Sequence, residues 1–200
     1  MRALVVILLC GLLFGCTHEL VAPPVAKAPK VAWKRYQHDL YAINSWTASG
    51  ELGVVTPKQA INANVDWTQN NKVYTIELFG PLGLGATSIT NASGRVVLDE
   101  AGNKTVSAEN PEFLMDRQLG WSVPVLGLIY WARGLPIPNA PKAYTLNQYG
   151  TLTALEQDGW SIRYDKYRLF NNVPLPTLIQ LHTGGVHVVI AVNQWQVSPS

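Results

Sequence analysis

Thirteen carboxylates, four histidines and two cysteines are the side chains from which this chain of 200 residues could build a reaction. His182 and His187 flank Gly184-Gly185 within an alternating stretch. A two-residue turn there would pair Thr183 with Val186 and His182 with His187. Cross-strand partners sit close enough to share a metal, but no third ligand lies nearby in sequence. Two His on a sheet surface is the simpler reading. The acidic residues show no pattern that nominates an acid–base pair. Gly80-Pro81-Leu82-Gly83-Leu84-Gly85 is rich in glycine, yet it follows a strand-like run, opens no helix and offers no Lys to a phosphate. There is no G-x-S-x-G elbow either. That leaves the thiols, Cys10 and Cys16.

Cys16 stands directly after Leu13-Phe14-Gly15, at the end of an apolar run that begins at Ala3 and is preceded by Arg2. The run is too short to span a bilayer, which takes ~20 residues, and reads as a secretory signal. Leu13-Phe14-Gly15-Cys16 resembles a bacterial lipobox, with Phe14 bulkier than the usual small residue. The resemblance implies cleavage before Cys16, a diacylglycerol thioether on its sulfur and acylation of its new amino group. One acyl chain holds a membrane only marginally, and each buried CH₂ adds ~0.8 kcal/mol, so three chains make a lasting anchor. Thr17 follows, where Asp would resemble an inner-membrane retention signal. The expected address is the periplasmic face of the outer membrane. With Cys10 removed and Cys16 acylated, no thiol remains for a disulfide, a metal or a nucleophile.

Three segments are expected: a lipoprotein signal over 1–15, the lipidated Cys and a Pro-rich tether over 16–30, and a single domain over 31–200. The tether holds Pro23, Pro24 and Pro29. The net charge of +2 and the lack of a basic run give nucleic acid nothing to bind. Apolarity is the marked feature, with 48% hydrophobic against 14% charged residues and seven Trp. Such a chain either fills a large core or keeps an apolar hollow, and composition leaves both open.

Trp33, Tyr36, Leu40 and Ile43 recur at helical spacing. The period then becomes two over Trp46–Val55, Ile61–Thr68 and Tyr74–Leu78, with Gln69-Asn70-Asn71-Lys72 as a hairpin loop. Val96–Leu98 and Thr105–Ala108 read as a further pair. Asn110 caps a helix that starts on Pro111, has Phe113, Leu114 and Leu119 on its apolar side and ends at Gly120. A second helix starts near Ser122 and Pro124 and stops at Gly134. Strands resume over Tyr144–Leu146, Thr151–Gln157, Trp160–Tyr167, Leu178–Thr183 and Val186–Val197. Sequential hairpins predict an antiparallel sheet with the helices over one face. The Gly80–Gly85 loop either displays Leu82 and Leu84 to a target or folds them back on the core.

An ordered series of residues now points to a family. Trp33, Gln37, Trp46 and Gly50 open it, followed by Trp67-Thr68-Gln69 and the run from Tyr74 through Glu77 to Gly80-Pro81-Leu82-Gly83. Leu119–Pro124, Tyr130–Pro136, Gln157–Trp160, Tyr164, Tyr167, Leu175-Pro176 and Trp195 complete it. With the lipobox, this series resembles the LolB family of outer-membrane lipoprotein receptors, from about Trp33 to Val197. The resemblance implies an α+β fold: an incomplete antiparallel β-barrel, or half-barrel, with a helical lid over an apolar cavity. It implies a monomer that is not an enzyme, needs no cofactor, and takes lipoproteins from the periplasmic carrier LolA to place their acyl chains in outer-membrane lipid. It also implies a membrane-insertion loop at Gly80, Pro81, Leu82 and Gly83, with Leu82 as its active residue. The apolar tip continues to Leu84, whose share in that role is open. Trp67 and Trp131, on a strand and a lid-like helix, are expected at the cavity. A lipid-sensing scaffold that binds acyl chains without passing them on would carry the same features.

Overall fold

A computed structural model describes residues 28–80, 85–92, 95–100 and 105–197. Helix α1 (Pro29–Ala42) comes first, and its Pro29 occupies the first turn, where a missing N–H costs nothing. Six strands follow: β1 (Ser45–Val55), β2 (Ala60–Asn70), β3 (Val73–Phe79), β4 (Thr87–Ala92), β5 (Arg95–Glu100) and β6 (Val106–Ala108). Helices α2 (Pro111–Leu119) and α3 (Val125–Trp131) interrupt them. The chain ends with β7 (Ala143–Leu146), β8 (Leu152–Gln157), β9 (Trp160–Phe170), β10 (Val173–Thr183) and β11 (Val186–Val197).

All eleven strands form one open antiparallel sheet in the order β6-β5-β4-β3-β2-β1-β11-β10-β9-β8-β7. Two meanders are joined through β1 and β11. Consecutive strands β6 and β7 therefore lie on opposite edges, and the segment that carries α2 and α3 must cross from one edge to the other. α2 packs on β5 and β6, while α1 packs near β7. The half-barrel with a helical lid is thus closed by helices rather than by a ladder.

Tight turns set the register. Asp158-Gly159 and Asn171-Asn172 all take positive φ, which Gly, Asn and Asp tolerate and which suits two-residue hairpins. Gly184-Gly185 joins β10 to β11 and places Thr183 opposite Val186 and His182 opposite His187. Gln69 and Asn70 belong to β2, not to the loop, and the turn itself is Asn71-Lys72.

A bulge re-phases the sheet where β1 meets β11, between Ser49 and Gly50. On β11 the buried residues pass from Val188, Ile190 and Val192 to Trp195 and Val197, an even-to-odd switch. A Cβ on Gly50 would lie 2.9 Å from Val192 Cα and closer still to the Ala191 carbonyl, so the bulge requires glycine there.

Two strand segments escape the sequence pattern. In β4, only Ile89 among Thr87-Ser88-Ile89-Thr90-Asn91 is strongly apolar, so alternation is faint, yet β3 and β5 pair with it on both sides. β10 starts five residues earlier than its apolar run because Pro174 and Pro176 lie in its first half. They are tolerated because pairing with β11 begins only at Leu178, leaving β9 as the sole ladder neighbour there. Trp195 Nε1 donates to the free Pro176 carbonyl at 2.8 Å.

The helices form largely where caps and periodicity put them. Phe113 N donates to Asn110 Oδ1 at 2.8 Å, and Gly120 leaves α2 with φ +76°. Leu114 and Met115 are the residues that α2 buries; Phe113 is exposed, a correction to the expected apolar side. Tyr36, Trp33 and Leu40 of α1 enter the core.

Candidate functional site

The concave face of β1–β4 and β11 and the underside of the lid enclose an apolar cavity of about 60 Å³. Small Ala48 on β1 makes the room. In register it stands between Trp67 of β2 and Trp195 of β11. Trp46 packs on both, with ring centroids 5.0 and 5.3 Å away. Leu52, Val65, Ile76, Leu78 and Ile89 continue the floor. Met115 of α2, Trp121 and Val123 of the linker, and Val125, Leu128 and Ala132 form the roof. Among the described residues of this wall, Ser49 is the only one of polar type. Pockets that hold small ligands usually measure ~300–1,000 Å³. This hollow is smaller than that.

Trp67 is 6% exposed and lines the cavity. Its Nε1 donates to buried Gln69 Oε1 at 3.2 Å, and Gln69 Nε2 donates to Asn71 O at 2.7 Å, so both polar groups are satisfied beside the hollow. The expectation for Trp131 is corrected by helix phase. Val125, Leu128 and Ala132 take the face toward the cavity, and Trp131 turns to the flank beside β8 and β9. There it is fully buried, 6.3 Å from the Trp160 ring, and donates Nε1 to Gln157 Oε1 at 3.0 Å. The same Oε1 accepts from Ile137 N at 2.8 Å, and Gln157 Nε2 donates to Ile137 O at 3.2 Å.

The roof is held at its ends. Glu112 Oε1 accepts from Val125 N at 2.9 Å and so caps α3 from α2. Gln59, in the β1–β2 loop, donates Nε2 to Leu119 O at 2.7 Å and ties α2 to the sheet. At the far end Arg133 is 4% exposed. Its Nη1 donates to Leu40 O at 3.0 Å and Ile43 O at 2.8 Å, and its Nε to Ile129 O at 3.0 Å. The guanidinium thus meets the negative ends of α1 and α3. Burial lowers its pKa, and the adjacent Tyr130, Tyr36 and Tyr41 oppose that shift.

A second groove of about 470 Å³, lined by both charged and apolar residues, opens beside the lid. The linker from α2 to α3 alternates between the two spaces: Trp121 and Val123 line the cavity, whereas Ser122 and Pro124 line the groove. Trp121 lines both. The sequence offered no period through this linker to reveal it, whereas Val188, Ile190 and Val192 of β11 follow an even alternation up to the bulge that brings in Trp195.

His182 and His187 face each other with ring centroids 6.2 Å apart. No group of three or more His, Cys, Asp or Glu suited to a metal occurs among the described residues. Gly80 directly follows β3. Pro81, Leu82, Gly83 and Leu84, like Cys16, lie outside the described residues.

The family described as outer membrane lipoprotein LolB matches residues 44–195, which hold the cavity floor and the whole lid. The chain belongs to the LolB family. The outer-membrane lipoprotein LolB of Pseudomonas paraeruginosa is 35% identical over 190 residues, covering 93% of this chain and 91% of that protein. LolB of Pseudomonas syringae pv. syringae is 35% identical over 197 residues, 98% of this chain and 96% of its own. Among solved structures, a LolA superfamily protein from Nitrosomonas europaea aligns with TM-score 0.52 at 8% identity, covering 86% of this chain and 94% of that one. That likeness extends the open-sheet fold beyond the LolB family. No helix among the described residues is long and apolar enough to cross a membrane.

Proposed function

We propose that this protein is an outer-membrane receptor, anchored through lipid on Cys16 with its domain in the periplasm, which accepts lipoproteins from the carrier LolA and inserts them into the membrane. The observation that carries this reading is the apolar hollow between the concave sheet and a lid tied to the β1–β2 loop and to α1, in a chain of the LolB family. Each methylene taken out of water contributes ~0.8 kcal/mol. A wall whose described residues are almost all apolar can therefore hold a hydrocarbon chain mainly by burial. Transfer then runs down a series of apolar environments, from carrier to receptor to bilayer, and needs no cofactor. The receptor acts as a monomer.

In this reading the segment Gly80-Pro81-Leu82-Gly83-Leu84, between β3 and β4, meets the bilayer. Burying one Leu stabilises by ~1.5–3 kcal/mol, enough to engage a lipid surface locally and too little to anchor there.

The test mixes the processed, soluble Cys16→Ala protein with LolA loaded with acylated cargo and asks which partner holds the cargo. Movement of cargo to this protein is the expected result. Cargo that stays on the carrier, with the receptor folded, would leave a lipid-sensing scaffold as the better account.

A further inference from the structure

Trp121 is 4% exposed, and its indole N–H has no hydrogen-bond partner among the described residues. A buried donor left unpaired costs about 1–3 kcal/mol, so such a group calls for an explanation. The other cavity tryptophans are satisfied: Trp67 by Gln69 and Trp195 by Pro176. Trp121 also occupies a position that no other described residue shares, since it alone lines both the apolar cavity and the mixed groove. On the groove side Lys58, Asp116, Ser122 and Asp158 stand beside Trp160 and Val186, so charged groups and apolar surface are both within reach. A ligand that fits both spaces has an apolar tail, a polar head and a hydrogen-bond acceptor where they join.

We propose that Trp121 donates its indole N–H to the carbonyl oxygen of an acyl ester or amide, at the point where a chain in the cavity meets its head group in the groove. The inference rests on the acyl-binding reading above and adds the polar end of the ligand to it. An unpaired N–H in an apolar wall is a cost to the empty protein. It becomes a favourable contact only when an acceptor arrives with the chain. Trp121 would thus separate acyl groups, which carry a carbonyl at the head of the chain, from plain hydrocarbon. It would also fix the depth to which a chain enters.

The test uses the processed chain (residues 16–200, with Cys16→Ala) and two probes delivered from cyclodextrin. One is methyl palmitate, isotope-labelled at its carbonyl carbon; the other is hexadecane. Infrared spectra of the bound ester should show the carbonyl band moved to lower frequency in the parent protein. The shift should vanish in Trp121→Phe and in a variant with benzothienylalanine at this position, which keeps the ring shape and lacks the N–H. In the benzothienyl variant the affinity for the ester should fall about three- to tenfold, the worth of one hydrogen bond. Its affinity for hexadecane should not change. An unshifted band in the parent, or the same shift in all three proteins, would overturn the assignment and leave the N–H to an ordered water. If the parent binds neither ester nor hexadecane, the acyl-binding reading itself fails and takes this inference with it. Binding of hexadecane alongside an unshifted ester band removes only the role of Trp121.

Discussion

Arg133 reaches across 90 residues of sequence to Ile43, its Nη1 donating to the Ile43 carbonyl at 2.8 Å. The contact joins the end of α1 to the end of the lid. Arg133→Met would leave the carbonyls of Leu40, Ile43 and Ile129 without this donor in a buried site. Leu40 O keeps the Ile43 N–H as a donor, so a loss of about 2–4 kcal/mol in stability is expected from the carbonyls of Ile43 and Ile129. Urea denaturation followed by circular dichroism measures it. A midpoint equal to that of the parent would show that these carbonyls find water.

Ala48 leaves the space between Trp67 and Trp195. Ala48→Leu adds three carbons to a hollow of about 60 Å³. The variant should fold with unchanged or slightly raised stability, since it fills a void without burying a polar group. Its affinity for acyl chains should fall at least tenfold in a displacement titration. Undiminished binding would place the chain elsewhere.

Gly134 ends the lid segment with φ +76°, and a Cβ there would lie 2.8 Å from Tyr167 Oη and 3.2 Å from Pro176. Gly134→Ala combines a left-handed backbone with a clash against buried side chains. It should lower stability by about 2–4 kcal/mol. Thermal denaturation of the variant is the direct check, and a change below about 0.5 kcal/mol would refute the tight packing seen here.

Burial, with a smaller effect from the Glu112 charge, pushes the Tyr74 phenol up to about 12. Burial is also the first cause of the raised values at Tyr36, Tyr164 and Tyr167. In the unfolded chain tyrosines lose their protons near pH ~10. Above that point the folded state keeps protons that the unfolded state has released, so stability is full below pH ~10 and falls as pH rises toward the folded values. Tyr74 Oη has no hydrogen-bond partner among the described residues. Tyr74→Phe should therefore keep or raise stability at neutral pH and make the alkaline fall shallower. Urea midpoints taken from neutral to strongly alkaline pH test both statements.

Leu82→Glu probes the proposed insertion loop. Folding and uptake of acylated cargo should match the parent, while release into liposomes should drop severely. Normal delivery by this variant would remove Leu82 from the mechanism.

The sequence disclosed what local chemistry decides. Asn110, Pro111 and Gly120 marked both ends of α2, and Gly184-Gly185 fixed the pairing of His182 with His187. It hid what neighbours decide. β4 is held by strands on both sides despite its polar residues, and Pro174 and Pro176 sit in a strand because β11 begins pairing only beyond them. At the candidate site Trp67 could be placed on the concave face by alternation. Trp131 could not be oriented, because a short helix with Leu128, Ile129, Trp131 and Ala132 is apolar on more than one side. Trp121 falls in a linker with no period, and its double exposure to cavity and groove arises only when the chain crosses the sheet.

That crossing has a mechanical consequence. A barrel whose strands are hydrogen-bonded all the way round has a fixed circumference. Here the three-residue β6 and the four-residue β7 end the sheet unpaired with each other, and α2 and α3 bridge the gap. The girth of the hollow is then set by side chains pressing beneath the lid, not by a closed ring of backbone bonds. Swelling would cost apolar contacts, and under the proposed function an incoming methylene chain would supply replacements for them. In the proposed reading a guest would serve as packing material, gauged by how fully it refills the space it opens.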